Sequence, residues 1–206
     1  LAMLDEMHIA LTSKVLYQEA IRQLSGQEGS ENLFRSRNFS GNLHLELLDG
    51  KRDEISWEDL QADCYSSHTL LAFLSDSYAG LKTAAAHTVK TIWYNPRGEM
   101  APEPMPVQDF DIRHFDELPD VTSLLYKPTL SQCLTWWDEW ELPENVRQHS
   151  LTVSRAAYLL AIMMRNKGLD IDPILTHRGA LLHDLDKIET LRLSGAHGKK
   201  AAAFIE

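Results

Sequence analysis

Between Leu70 and Tyr94 the chain spells out a strand, a helix and a second strand, and after Leu125 that pattern does not return. Leu70 to Leu74 is a compact apolar run broken by Ser75-Asp76-Ser77; a helical stretch continues to His87, and Val89 to Tyr94 is again apolar and β-branched. Residues of that type suit the pleated, half-buried surface of a strand. The front of the chain therefore reads as a small α/β segment. Around this unit, Leu4 to Leu24 carries apolar residues at helical spacing with Gly26 as a stop, which predicts a first helix. Leu43 to Leu48 predicts a short strand closed by the Asp49-Gly50 turn, after a loop rich in Gly, Ser and Asn. Arg97 to Val107 holds Pro102, Pro104 and Pro106 and reads as an irregular surface loop, and Asp109 to Leu125 as a terminal strand with a short helix.

Beyond Leu125 every segment is helical. Thr129 to Trp140 carries Leu130, Leu134, Trp136, Trp137 and Trp140 on helical spacing; the tryptophans suit a core or interdomain face, with an aromatic ligand platform as the alternative. Pro143 opens a long helix that Gly168 ends, and Asp172-Pro173 supplies an N-cap and first-turn proline for the next, through Leu182. The expected fold class is α+β overall. An α/β segment over residues 1–125 precedes an all-helical domain over residues 129–206.

With 44% apolar and 24% charged residues the composition is ordinary for a folded chain and excludes disorder, collagen and a disulfide scaffold. A formal charge of -10 opposes binding to phosphate backbones and anionic lipid, so neither nucleic acid nor a membrane is an expected partner. The longest strongly apolar stretch, Tyr158 to Met164, is too short to span a bilayer. Cys64 and Cys133 lack any CxxC spacing and read as buried thiols of a reducing compartment, so a cytoplasmic location is expected. Because the chain opens on Leu1 and stops within a helical Ala-rich run at Glu206, it is expected to be a fragment.

The chemistry-bearing residues cluster late. His149 lies early on one amphipathic helix, and His183-Asp184 lies near the end of the next, after Ala180-Leu181-Leu182. Two antiparallel helices joined by a short turn would bring these groups together. Imidazole nitrogen and carboxylate oxygen suit a divalent Mn, Fe, Zn or Mg ion, which can activate water and neutralise charge on a phosphoryl group. His177, six residues before His183, falls almost on the opposite helix face and reads as a surface or packing residue.

The segment Leu142-Pro143-Glu144-Asn145-Val146-Arg147-Gln148-His149-Ser150, followed by Ala180-Leu181-Leu182-His183-Asp184-Leu185-Asp186-Lys187, resembles the HD-domain metal-dependent phosphohydrolases. The resemblance covers roughly Leu142 to Glu206. It implies that His149, His183 and Asp184 bind a divalent metal and that Asp184 and Lys187 serve catalysis, with Lys187 contacting substrate phosphate in the manner of an HD-x-x-Lys form. His197-Gly198 resembles the helix start that adds a ligand in two-metal members, and Asp186 stands where many members have Gly. The family's distal Asp has no counterpart, since no Asp follows Asp186, and the helical domain is expected to be incomplete at its C-terminus.

The front segment bears a second resemblance. Leu71 through Gly80-Leu81 to Thr91-Ile92-Trp93-Tyr94-Asn95 is similar to the last part of haloacid-dehalogenase-like (HAD) phosphatases, in which an acid after a strand holds Mg²⁺; Asp76 matches that acid. The family's Asp-x-Asp nucleophile has no match here, and Ser75-Asp76-Ser77 can equally be a helix cap. The leading expectation is an HD-type phosphohydrolase acting on a phosphorylated small molecule or nucleotide. The alternatives are a HAD-type phosphatase with an upstream Asp nucleophile and a non-catalytic nucleotide-binding regulatory module.

Overall fold

The computed structural model describes residues 6–11, 13–25, 36–39, 43–47, 57, 62, 66, 69–118, 123, 126–190 and 198–205. The chain divides into two compact units: Leu1–Glu99 with Val107–Lys127, and Met100–Pro106 with Pro128–Glu206. The first is mixed α/β and the second helical, so the chain as a whole is mixed α and β.

In the first unit, β1 (Glu6–Leu11), α1 (Lys14–Ser25), β2 (Ser36–Phe39), β3 (Leu43–Leu47), β4 (Thr69–Ser75), α2 (Tyr78–Ala86), β5 (Lys90–Tyr94) and β6 (Phe110–Ile112) precede a 3-10 turn at Phe115–Glu117. The strands form one six-stranded sheet in the order β2-β3-β1-β4-β5-β6, parallel throughout except for the edge strand β2. The register pairs Leu11 with Leu47 and Leu74, Ser75 with Trp93, and Tyr94 with Ile112, so the carboxyl ends of the parallel strands lie along one edge. Leu71, Ala72, Phe73, Leu74 and Ser75 are buried in succession, the near-continuous burial of a parallel strand covered on both faces.

The start of the chain differs from the single helix expected over Leu4 to Leu24. Ile9, Ala10 and Leu11 belong to β1, paired in parallel with β3 on one side and β4 on the other. Ser13 then starts α1: its hydroxyl accepts from the Leu16 N–H at 3.2 Å and its carbonyl from the Tyr17 N–H at 2.9 Å. Apolar spacing alone does not separate a strand from a helix over so short a run, and two flanking strands decide for the extended form. Leu16, Tyr17 and Ala20 of α1 pack with Ile9, Leu11, Leu74, Ile92 and Phe115 in one core.

The second unit contains α3 (Leu130–Glu139), α4 (Glu144–Asn166), α5 (Pro173–Leu182), α6 (Lys187–Thr190) and α7 (Lys199–Ile205). Thr129 and Gln132 close a capping box on α3, with reciprocal bonds of 3.1 and 2.8 Å. Gly168, at φ 85°, ends α4 in the left-handed region. Asp172 caps α5 by accepting from Ile174 and Leu175 N–H at 2.9 and 3.0 Å, with Pro173 in the first turn. Cys133, Trp137, Leu142, Val146, Leu181, Leu182, Leu185 and Ala201 form one core, and the Trp137 indole N–H donates to the Leu181 carbonyl. Trp136 and Trp140 are half-buried and meet the Phe204 ring edge-on, so all three tryptophans serve packing within this unit. Cys64 lies outside the described residues.

The proline segment read as a surface loop is in fact divided: Met100–Pro106 belongs to the helical unit and Pro106 is buried. Tyr158 Oη accepts the Ala101 N–H at 3.2 Å, and the buried Arg178 donates to the Pro106 carbonyl at 3.0 Å. Arg178 also donates to His177 Nδ1 at 2.8 Å; a guanidinium only donates, so this imidazole is the neutral tautomer protonated at Nε2. Burial first, and the charge of Arg178 second, hold the His177 pKa down to about 3. Among the described residues no helix is long and apolar enough to cross a membrane.

Two stability measurements check these contacts. Asp172→Ala should destabilise the chain by about 1 kcal/mol in urea unfolding, through loss of the α5 cap. The unfolded chain protonates His177 near its ordinary value while the folded chain resists until about 3, so this group's contribution is intact above pH 6.5 and declines as pH falls toward 3. The decline should approach about 1.4 kcal/mol per pH unit from this one group, and His177→Gln should flatten that part of the stability profile.

Candidate metal centre

Burial along α4 selects Val146, Ser150, Ser154, Tyr158, Ala161 and Ile162, a stripe that repeats every three or four residues. His149 stands about 100° from Ser150 around the helix, which puts it at the edge of the stripe with half of its side chain in solvent. Arg147 fastens this end of the helix: its Nε donates to the Leu142 carbonyl at 2.7 Å, one terminal nitrogen to the Trp137 carbonyl at 3.2 Å, and the other pairs with Asp138 at 2.6 Å. The histidine is thereby fixed two residues beyond a three-point anchor.

On α5 the last turn brings the other groups. His183 occupies the C-cap in a helical conformation, φ −58° and ψ −28°. Its Nδ1 lies 2.8 Å from the Ala180 carbonyl, an acceptor only, so Nδ1 carries a proton and, in the neutral ring, Nε2 is the atom with the lone pair. A ring so oriented is the usual arrangement of a ligating histidine. Asp184 follows with its side chain 3% exposed. Its Oδ2 lies 3.4 Å from His183 Nε2 and 3.7 Å from His149 Nε2, and ligand atoms of the three residues all lie within 4.8 Å of one another. Ligands held at 2.0–2.2 Å from a common ion are separated by about 3 to 4 Å, so the donor set needs only a small contraction to share one. Two imidazoles and a carboxylate are a donor chemistry suited to a divalent Mn, Fe or Zn ion.

Lys187 extends the cluster. Its ammonium donates to the same Asp184 Oδ2 at 2.5 Å while the side chain stays 37% exposed, so a cation stands at the solvent side of a carboxylate that is itself almost fully buried. The exposures grade outward, from 3% at Asp184 through 34% at His183 to 50% at His149, and describe a shallow site open to a small ligand.

Asp186 faces elsewhere. It is fully buried, and its Oδ1 accepts the Gly198 N–H at 2.9 Å while its Oδ2 accepts those of Lys200 and Ala201 at 3.1 and 3.2 Å. Its carboxylate caps α7. Nothing local in the sequence marks this role, because the donors are backbone groups 12 to 15 residues further along the chain. His197 lies outside the described residues. His177 is buried among Arg178 and Tyr158 and is a packing residue.

In the first unit Asp76 is exposed and follows β4 at the carboxyl edge of the sheet. The strands on either side of the β1–β4 junction connect in opposite directions, the point at which open α/β sheets hold ligands. The capping alternative is realised only in part. Buried Ser75 accepts the Ser77 N–H through its hydroxyl at 3.0 Å, whereas Ser77, at the N-cap of α2, makes no side-chain cap bond. Among the described residues Asp76 joins no cluster of metal-ligating groups.

No family model matches the chain, and no solved structure matches it. A protein of Methanocaldococcus jannaschii, described only as uncharacterized, is 47% identical to it over 47 residues, 23% of this chain. The chain covers 28% of that relative's own length.

Proposed function

We propose that the helical unit is a metal-dependent phosphohydrolase of the HD type, acting on a phosphorylated small molecule or nucleotide. The observation that carries this reading is the convergence of His149, His183 and Asp184, with the lone pair of His183 Nε2 left available by the Ala180 carbonyl. These three side chains would hold the ion. A divalent metal there supplies Lewis acidity toward a phosphoryl oxygen and lowers the pKa of coordinated water. The chain's own contribution is positioning: buried Asp184 fixes the negative end of the site, and Lys187, at its open side, offers a cation to the phosphate oxygens as charge develops on them. In the net reaction water adds to phosphorus, the ester P–O bond breaks, and a proton passes to the departing alkoxide. The resemblance of Leu142–Ser150 and Ala180–Lys187 to HD proteins supports the same reaction class.

A second reading rests on a separate observation: exposed Asp76 at the carboxyl edge of a parallel sheet, beside the junction where strand order reverses. This placement supports a HAD-type domain with Asp76 as a Mg²⁺ ligand, and that reading requires an aspartate nucleophile. The described strand β1, Glu6–Leu11, contains none.

Calorimetry with Mn²⁺ or Zn²⁺ and phosphate release from a panel of monoesters and nucleotides test both readings. The HD reading expects metal binding that His183→Ala abolishes together with turnover, and a Lys187→Ala variant that keeps the metal yet loses about 100-fold in kcat. Wild-type protein that binds no divalent ion, or a His183→Ala variant indistinguishable from it, overturns this reading. Mg²⁺-dependent hydrolysis that survives His183→Ala and is lost in Asp76→Asn supports the HAD reading in its place.

A further inference from the structure

Two carboxylates two residues apart, Asp184 and Asp186, are buried in the turn between α5 and α6, and they leave it toward different partners. The turn itself is tight: the Leu185 N–H bonds the Leu182 carbonyl at 3.0 Å and the Lys187 N–H bonds the Asp184 carbonyl at 3.1 Å. In so short a segment a rotation that moves one side chain moves the other. Asp184 must meet His149, which belongs to a different helix, so the orientation of the turn decides whether the donor atoms converge. Backbone bonds within the turn fix its shape but leave its orientation to outside contacts. Such contacts among the described residues include two. Leu185, 1% exposed, packs with Ala201 in the helical core, and Asp186 accepts from three backbone N–H groups at 198, 200 and 201.

We propose that Asp186 is a positioning residue of the metal centre, tying the Leu182–Lys187 turn to the start of α7 so that Asp184 and Lys187 project toward His149 and His183. The inference rests on the metal-centre reading and extends it to a residue that touches neither the ion nor the substrate. An apolar residue at 186 would leave three backbone N–H groups at the start of α7, that of Ala201 buried, without this acceptor, and a glycine would remove the tether altogether. Asparagine keeps the size and one oxygen but turns an NH2 group toward at least one of the converging donors. Loss of an outer partner that hydrogen-bonds a metal ligand typically changes affinity by about 10- to 100-fold, and the same range is expected for this tether.

The test uses Co²⁺, whose visible absorption reports ligand geometry as well as occupancy. The expected result is that Asp186→Asn, folded by circular dichroism, binds Co²⁺ about 10- to 100-fold more weakly than wild type and shows an altered visible band. Lys200→Pro deletes one of the three donors from the far side, in a first helical turn where proline is tolerated, and should weaken binding in the same direction without touching the turn. It also decides the matter if Asp186→Asn does not fold. Asp172→Ala, destabilised at a cap away from the site, should keep wild-type affinity and spectrum. The positioning role is overturned if the folded Asp186→Asn, or Lys200→Pro in its place, binds Co²⁺ with wild-type affinity and spectrum, or if Asp172→Ala weakens binding as much. A wild-type chain without Co²⁺ binding overturns the metal-centre reading, and this inference with it.

Discussion

Burial of a carboxylate is the constraint on which the helical unit depends. An ionised carboxyl taken out of water must be met by donors or countercharge at the same place, or the group does not stay buried and charged. This chain sets two of them into a single turn. Asp184 is met by the Lys187 ammonium and faces two imidazoles; Asp186 is met by three main-chain amides. The first arrangement can exchange partners, because an ammonium on a flexible stem can move aside. The second cannot, because amides at the start of a helix have no other position. One turn thus carries an exchangeable negative site and a fixed one, side by side, and the surrounding core of Trp137, Leu181, Leu182, Leu185 and Ala201 holds that geometry.

The first unit is organised on a different principle. β4, β5 and β6 carry consecutive buried residues, so pairing, more than any one side-chain contact, positions the carboxyl edge of the sheet. Register brings the ends of β1, β3, β4, β5 and β6 level, and polar residues appear as β4 ends, at Ser75, Asp76 and Ser77. Buried polar groups further along the sheet are paired locally: Asp109 accepts the Thr91 N–H at 2.9 Å, and Asn95 exchanges hydrogen bonds with the Glu99 backbone. Such pairs offset part of the cost of burying polar side chains in an apolar sheet.

What was legible in the sequence was whatever acts over a few residues. The Asp172-Pro173 start, the Gly168 stop and the β4-α2-β5 alternation all follow from neighbours close in the chain. The three donor residues of the candidate centre were also legible, because imidazole and carboxylate are uncommon enough at that spacing to stand out. β1 is not legible as a strand because its extended form is imposed by strands 36 and 63 residues further along the chain. Arg178 gave no signal, since its acceptor is a carbonyl 72 residues earlier, and Asp186 gave none because any residue offers the amides it uses. Contacts to a backbone group far away in the chain leave no trace in side-chain pattern.

A cut between Lys127 and Pro128 would not release the helical unit whole. Residues 128–206 alone lack the Pro106 carbonyl to which buried Arg178 donates and the Ala101 amide that Tyr158 accepts. During synthesis, Met100–Pro106 leaves the ribosome well before Arg178 does, so the helices must fold back onto a peptide already exposed. An excised fragment would have to hydrate or repack a guanidinium that the whole chain keeps dry, and supplying residues 100–106 as a separate peptide would be the natural complement to it.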